Sequence, residues 1–452
     1  MSGRGPVDPA TRTLLHELFP GRLAPAERWG LGKTRALLSA VGGPQRSFAT
    51  VHVGGTNGKG STSAMVASAL SAAGHRVGLY TSPHLVRFNE RIQVDGRPVA
   101  DDVLARVADG FASVVDEVDP AFFELSTALA FKTFQELGVE IAVVEVGLGG
   151  RLDATNVLDP LAVGVTNVGL DHREYLGDTL ESVAREKAGI AKRDTVFLTT
   201  ASVPAVRSVL SARAEALGAR VRILEPGELT VRSGEPLQLR AVLEESRWGS
   251  VELDLPLAGA HQALNLLLAL RLLEALPDRW CPARHALVRG IHQTRWPGRL
   301  DLRRHDGSAW IFDIAHNPEG IEALARSLPD LGLELPLRAV VGILGDKDWR
   351  SMLEGLAPLA QRLFLTQPPS AGGRRWNLEE VAGWVATRPW ADRVEVAPEF
   401  TELLSSPHLR GGTALVTGSA HTVGDAFAVL GFEPFSEWPA APSDSDAASA
   451  VG

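Results

Sequence analysis

The stretch Gly54-Gly55-Thr56-Asn57-Gly58-Lys59-Gly60-Ser61 constrains this chain more than any other. A short β-rich run, Thr50-Val51-His52-Val53, precedes it. Ser61 to Ala73 reads as a helix with Met65, Val66, Ala69 and Leu70 on one side and Gly74 as its stop. Glycines between a strand and a helix let successive backbone N–H groups turn toward one anion. The helix N-terminus adds partial positive charge, Lys59 a full one, and Ser61 offers a hydroxyl to Mg²⁺. Position 53 is Val where a Walker loop has Gly, and Gly60 separates the lysine from the hydroxyl residue. The generic spacing fails, but every physical part of a nucleotide-phosphate cradle is present.

Around this loop, strand and helix patterns alternate. Buried-strand candidates are Arg76 to Tyr80, Ile141 to Val146, Ala162 to Asn167 and Thr195 to Thr199. Helical patterns cover Asp101 to Val118, Ser126 to Leu137 and the leucine-rich Gln262 to Leu276. Such alternation predicts a mainly parallel sheet covered on both faces. Leu14, Leu15, Leu18 and Phe19 are spaced for one helical face near the start. The pattern resets at Arg295-Trp296-Pro297-Gly298-Arg299, and new strands are expected at 309–312, 339–343, 363–366, 394–396 and 414–417. The expected organisation is therefore α/β throughout. A P-loop ATPase-like doubly wound domain spans 1–295, a Rossmann-like α/β domain spans 296–432, and 433–452 forms a disordered tail.

Composition narrows the function classes. The chain has 452 residues with 45 basic and 54 acidic side chains, a net charge of −9, which argues against bulk nucleic-acid binding. No run approaches a membrane span, and the start has no apolar core after a basic region. One cysteine suits a reducing cytoplasm, the expected location. Only six of the basic residues are lysines, Lys33, Lys59, Lys132, Lys187, Lys192 and Lys347. Arginine-biased composition explains most of that, but an ammonium is compact and its neutral amine can react, which arginine cannot imitate.

Three polar residues stand where chemistry is done in doubly wound sheets. Glu145 ends an apolar run, at the carboxyl end of a strand where it can hold Mg²⁺ beside the phosphate loop. His172 follows the next strand; taken alone, it reads as a hydrogen-bonded structural histidine. Lys187 lies on a helical pattern, and by spacing alone it is a surface cation paired with nearby acids. Phe122-Phe123 reads as core more readily than as a stacking platform.

Ten ordered motifs resemble one family: HVGGTNGKGS (52–61), TSPHL (81–85), FFELSTALAF (122–131), EVGLGGRLDATN (145–156), GLDH (169–172), EKAGI (186–190), GAHQALN (259–265), WPGR (296–299), DIAHNP (313–318) and GDKD (345–348). Together, over roughly 28–430, they resemble the Mur ligase superfamily, and within it the folylpolyglutamate synthase and dihydrofolate synthase group. The resemblance implies an ATP-dependent ligase that adds L-glutamate to dihydropteroate and to folates. Gly58, Lys59, Gly60 and Ser61 match the ATP phosphate loop. Ser61, Ser82, Glu145 and His172 match residues around two Mg²⁺ ions, and Lys187 matches a lysine carried as a carbamate. Lys59, His172 and Lys187 are thus the expected catalytic groups. Asn265, Arg299, Asp313 and His316 match ATP contacts across an interdomain cleft. Arg28-Trp29-Gly30, Phe122-Phe123 and Leu152-Asp153-Ala154 match segments that touch the pteroate part. Members are typically monomers, and some respond to K⁺. Ile314 stands where the family usually has glycine. Other readings are a ligase making only polyglutamate tails, a cell-wall muramyl ligase, a P-loop phosphotransferase or switch, and a non-catalytic nucleotide-binding module. The TSPHL and GLGGRLDATN segments speak against the muramyl ligase.

Overall fold

The computed structural model describes residues 30–232, 237–332 and 337–435. The helical face at Leu14–Phe19, the Arg28-Trp29 pair and the tail from 436 lie outside them. The first sheet has eight strands: β1 (Ala49–Gly54), β2 (Val77–Tyr80), β3 (Ile92–Val94), β4 (Arg97–Pro98), β5 (Ile141–Glu145), β6 (Ala162–Val165), β7 (Val196–Thr199) and β8 (Arg220–Ile223), in the order β4-β3-β2-β5-β1-β6-β7-β8. β2, β5, β1, β6, β7 and β8 run parallel, and β3 and β4 close one edge antiparallel. Every residue of β5 is buried, as expected of a parallel strand covered on both faces. The chain leaves β1 for β2 on one side and returns to β6 on the other. The carboxyl end of β1 is therefore a topological switch point, the usual crevice for a ligand.

The helix Lys59–Ala72 follows β1 and packs against the helices Gln262–Ala275 and Arg284–His292. Leu266, Leu267, Leu268, Leu270, Leu272 and Leu273 are all buried in one cluster with Met65, Val66 and Leu70. Each such leucine contributes about 1.5–3 kcal/mol relative to exposure. A helix apolar on every side needs neighbours on every side. A second sheet supplies one of them: β9 (Thr230–Arg232), β10 (Leu239–Leu243) and β11 (Val251–Leu255), all antiparallel. The mainly parallel expectation did not include this sheet. Its signal is the alternation in β11, where Val251, Leu253 and Leu255 face inward and Glu252 is exposed. The single helix expected over Asp101 to Val118 is two, Asp101–Asp109 and Ala112–Val118, parted at Gly110-Phe111.

The third sheet holds β12 (Asp301–His305), β13 (Ser308–Phe312), β14 (Leu337–Val341), β15 (Ala360–Leu365), β16 (Val394–Val396) and β17 (Gly412–Thr417), in the order β12-β13-β17-β14-β15-β16. All pairs are parallel except the hairpin β12–β13. Its two-residue turn, Asp306-Gly307, takes φ of +45° and +74°, the twist that suits a tight hairpin. No described helix is long and apolar enough to cross a membrane.

Candidate active site

The loop after β1 is tied to the end of β6. Thr56 N–H donates to the Asn167 carbonyl (2.9 Å), Asn57 N–H to Asn167 Oδ1 (2.7 Å), and Thr166 Oγ1 to the Asn57 carbonyl (2.6 Å). Gly55 takes φ +141°, and a β-carbon there would lie 1.8 Å from Thr166 Oγ1. Gly58 caps the following helix at φ +85°. The amides of the first turn of a 14-residue helix are thus gathered around one point, a built anion site. Lys59 Nζ folds back over the loop, donating to the Thr56 carbonyl (2.9 Å) and standing 4.0 Å from Glu145 Oε1. Ser61 is buried beside it, with Gln262 Nε2 3.5 Å from its hydroxyl.

Glu145 reaches the loop because β5 pairs with β1 in a register that sets it opposite Val53. It is buried, and burial pushes its carboxyl pKa up; the Lys59 charge and the Ser82 N–H (3.2 Å) pull the other way. Lys187 is buried too, and among the described residues it forms no ion pair with an acid. Its Nζ donates to the Gly55 carbonyl at 2.7 Å. Burial first, then the neighbouring Lys59 charge, brings its pKa down to about 7. The surface-cation reading of Lys187 is therefore wrong: the amine is buried and its pKa is drawn down toward neutrality. Among the described residues no three His, Cys, Asp or Glu cluster at metal-holding distance. Mg²⁺ needs no such cluster, because it takes one or two protein oxygens and fills its shell with water and phosphate. Glu145, with the Ser61 and Ser82 hydroxyls, is such a partial donor set.

Across the cleft, the C-terminal half supplies a charged wall. Asp171, at the end of the β6 loop, pairs with Lys347 Nζ (2.5 Å), His316 Nε2 (3.3 Å) and Asn317 Nδ2 (3.4 Å). Burial opposes its ionisation, but the His316 hydrogen bond and the charges of His316, His172 and Lys347 hold its carboxyl well below the usual range. His172 sits beside it at φ +51°, with Lys347 Nζ 3.4 Å from its Nε2. Burial lowers its pKa to about 4, Lys347 adding to the shift and Asp171 opposing it. Asn57 and Asn317 exchange side-chain hydrogen bonds at 3.0 and 3.3 Å, linking the phosphate loop to the third sheet. Asp313 accepts from the Leu300 and Ala315 amides (3.0 and 2.9 Å), so the helix Pro318–Ser327 is capped by Asn317 and not by Asp313. Arg299 is half-buried with its charge facing Asp313 and Glu145. Asn265 lies against Gly58 and donates to Gln262 (2.9 Å).

These groups line one cavity of about 530 Å³. All the sequence-predicted site residues that are described border it, from Gly58, Lys59, Gly60, Ser61, Ser82 and Glu145 through His172, Lys187, Asn265, Arg299, Asp313 and His316. On the far side it is bounded by Gly30, Phe122, Phe123, Leu152, Asp153 and Ala154. Both phenylalanines are half-buried, and Phe123 packs on the core beside Tyr80. The Arg91 guanidinium lies 5.2 Å over the Phe122 ring, and Phe123 closes on Gly147. Asp153 is consumed structurally, accepting from Leu148 N–H (2.9 Å) and Thr155 N–H (3.0 Å).

Sequence reasoning gave no role to Arg91, Asp171, Asn317, Lys347, Arg374 or His421, all of which except Asn317 border the cavity. Lys347 and Asp171 were visible inside their motifs, GDKD and GLDH, but their pairing joins positions 176 residues apart. Within GDKD the three charges separate: Asp346 pairs with Arg374, Lys347 with Asp171, and Asp348 caps the helix Trp349–Leu356.

The Mur ligase middle domain model matches residues 53–273 and the Mur ligase, glutamate ligase domain model matches 298–420. The chain belongs to the Mur ligase family. Within the family it is similar to the dihydrofolate synthase/folylpolyglutamate synthase of Bacillus subtilis, 32% identical over 90% of this chain and 96% of that protein. The enzyme of the same name from Mycobacterium tuberculosis is 34% identical over 89% and 90%. Among solved structures, this Mur ligase superposes on M. tuberculosis folylpolyglutamate synthase complexed with ADP, with a TM-score of 0.82, 33% identity and coverage of 94% and 99%. On Escherichia coli FolC in complex with DHPP and ADP the TM-score is 0.81, at 27% identity and coverage of 94% and 98%.

Proposed function

We propose that this chain is an ATP-dependent ligase that joins L-glutamate to dihydropteroate and then lengthens folates by further glutamates, through an acyl phosphate. One observation carries the reading. A helix-terminus phosphate cradle and a half-buried aromatic wall, Phe123 and Phe122 with Arg91 over the Phe122 ring, open into the same cavity. Such a cavity suits a flat heteroaromatic acid beside a nucleotide. The relatives' names and the solved complexes with DHPP and ADP support it.

The chemistry follows from the residues. The loop amides and Lys59 take the charge of the nucleotide phosphates, which would otherwise repel the substrate carboxylate. That carboxylate attacks the γ-phosphoryl group, releasing ADP and leaving an acyl phosphate. The glutamate nitrogen then attacks the acyl carbon and phosphate departs. Bound Mg²⁺ would neutralise phosphate charge, held by Glu145, Ser61 and Ser82 with His172 near. Lys187, whose burial lowers the amine pKa to about 7, suits carbamate formation, which would turn it into an anionic oxygen ligand for a second Mg²⁺. K⁺ is a further expected ion. The labile acyl phosphate needs protection from water, and the Asp171 and Asn57 contacts hold the two halves together over it. The chain divides into its two domains near Trp296 and acts as a monomer on small molecules.

The test is mass analysis of products from ATP, L-glutamate and either dihydropteroate or tetrahydrofolate. Dihydrofolate from the first and added glutamates on the second are expected. Product from tetrahydrofolate alone would reduce the activity to tail extension, and neither product would overturn the reading.

A further inference from the structure

Coupling an amino acid to an acyl phosphate requires that its ammonium first lose a proton. Four histidines border the cavity. His316 commits Nδ1 to the Ile314 carbonyl (3.0 Å) and Nε2 to Asp171 (3.3 Å). His172 faces the Lys347 ammonium through Nε2 (3.4 Å). His261 meets only the Ser327 hydroxyl, at 3.5 Å, among the described residues.

His421 is placed differently. It lies in the first turn of the helix Ala420–Leu430, and its Nδ1 is 2.9 Å from Ser370 Oγ. Asp425, one turn further along that helix, accepts the Ser370 N–H at 2.9 Å and also engages its hydroxyl. A carboxylate can only accept. With the Ser370 hydroxyl turned toward Asp425, its oxygen accepts from His421 Nδ1–H and the ring lone pair stands on Nε2. His421 borders the cavity from the helix that follows β17, in the half of the chain that does not carry the phosphate loop.

We propose that His421 is the general base that takes a proton from the incoming amino acid's ammonium, with Ser370 and Asp425 as positioning residues. This rests on the ligase reading above. The step balances. Nε2 takes one ammonium proton and becomes imidazolium, backed by the Asp425 carboxylate through Ser370. The freed nitrogen pair forms the C–N bond, and the C–O bond to phosphate breaks with its electrons. The second N–H proton leaves on the phosphate, and the imidazolium returns its proton to solvent. The charged groups facing His421 are Asp425 on its own helix, Arg374 and Asp346 beside it, and Arg91 across the cleft. Burial first, then Arg374, lowers its pKa, with Asp425 opposing, so the ring is neutral at neutral pH.

The full-length enzyme is assayed with ATP and dihydropteroate, using either glutamate or hydroxylamine as nucleophile. Hydroxylamine is already unprotonated at neutral pH and traps an acyl phosphate as hydroxamate without a base. His421→Gln is expected to lose about 10²-fold or more in glutamate coupling while hydroxamate formation stays near wild type. Ser370→Ala, a change at an exposed position, should show a smaller loss with the same selectivity, and Asp425→Asn should move the acid limb of the kcat profile to lower pH. Equal losses with both nucleophiles, or no loss with either, would overturn the assignment. A wild-type enzyme making neither amide nor hydroxamate would overturn the ligase reading itself.

Discussion

Gly58→Ala isolates the geometry of the phosphate cradle. At φ +85° an alanine pays the left-handed backbone penalty, about 1–2 kcal/mol. Its β-carbon would also sit 2.1 Å from Asn265 Oδ1, where ordinary contact begins near 3.4 Å. Asn265 must then swing away and break its 2.9 Å bond to Gln262, leaving a buried polar group unpaired at about 1–3 kcal/mol. Roughly 2–5 kcal/mol of distortion thus falls on the loop and the nucleotide side of the cavity. The expected result is an ATP Kd weakened by more than about tenfold, which needs only about 1.4 kcal/mol of that distortion to be felt on binding. Gly74→Ala is the control. It has a similar φ of +92°, just past the other end of the same helix, with no atom within 4 Å of its β-carbon. It should lower the melting temperature and leave nucleotide affinity alone. Calorimetric titration with ATP and thermal melting separate the two. Wild-type affinity in Gly58→Ala, or an equal loss in Gly74→Ala, would refute the argument.

Lys187→Ala should lose ligase activity, and added short-chain carboxylates should restore part of it; full activity without them would remove the carbamate role. Glu145→Gln should raise the Mg²⁺ concentration needed for half-maximal turnover, so an unchanged Mg²⁺ titration counts against its place as a ligand. Asp171→Asn should lower stability at neutral pH. Because the folded Asp171 carboxyl lies below its ordinary 3.8, its contribution is complete above that pH and fades as pH falls through and below it. The gap between mutant and wild-type melting temperatures should narrow as pH falls below 3.8, and a gap of the same size at about pH 5 and about pH 2 would show that the charge is not what matters.

Much of the fold was legible because its signals are local. The buried parallel strands announce themselves as short apolar runs, and β1, β5 and β6 fall within two residues of expectation. The glycine loop, strand-end Glu145 and the motif string located most of the cavity. Two kinds of feature were not legible. The antiparallel β9–β11 sheet has strands of three to five residues with charges between apolar positions, a weak pattern beside the leucine-rich helix it covers. The cross-cleft contacts of Asp171, Lys347 and Asn317 depend on how two sheets meet, which no periodicity encodes. Lys187 shows the same limit in another form. Its helix carries acids at 181 and 186, so spacing favoured a surface ion pair, and only tertiary packing turns the amine inward to the Gly55 carbonyl.

Trp296 stands in the stretch through which the chain passes from the leucine-rich helices to the third sheet, and its indole lies against Gly60 of the phosphate loop. A β-carbon at Gly60 would be 2.8 Å from the indole Nε1, so the two surfaces leave no slack between them. Trp296 also packs against the leucine-rich core, so the chain enters the third sheet from a point held to the phosphate loop. A tilt of the second half that moved Trp296 would press on the loop, and occupancy of the loop would then bias that tilt in return. Such a linkage is reciprocal: an acid or amino acid that prefers one tilt must change nucleotide affinity by the same factor that nucleotide changes its own.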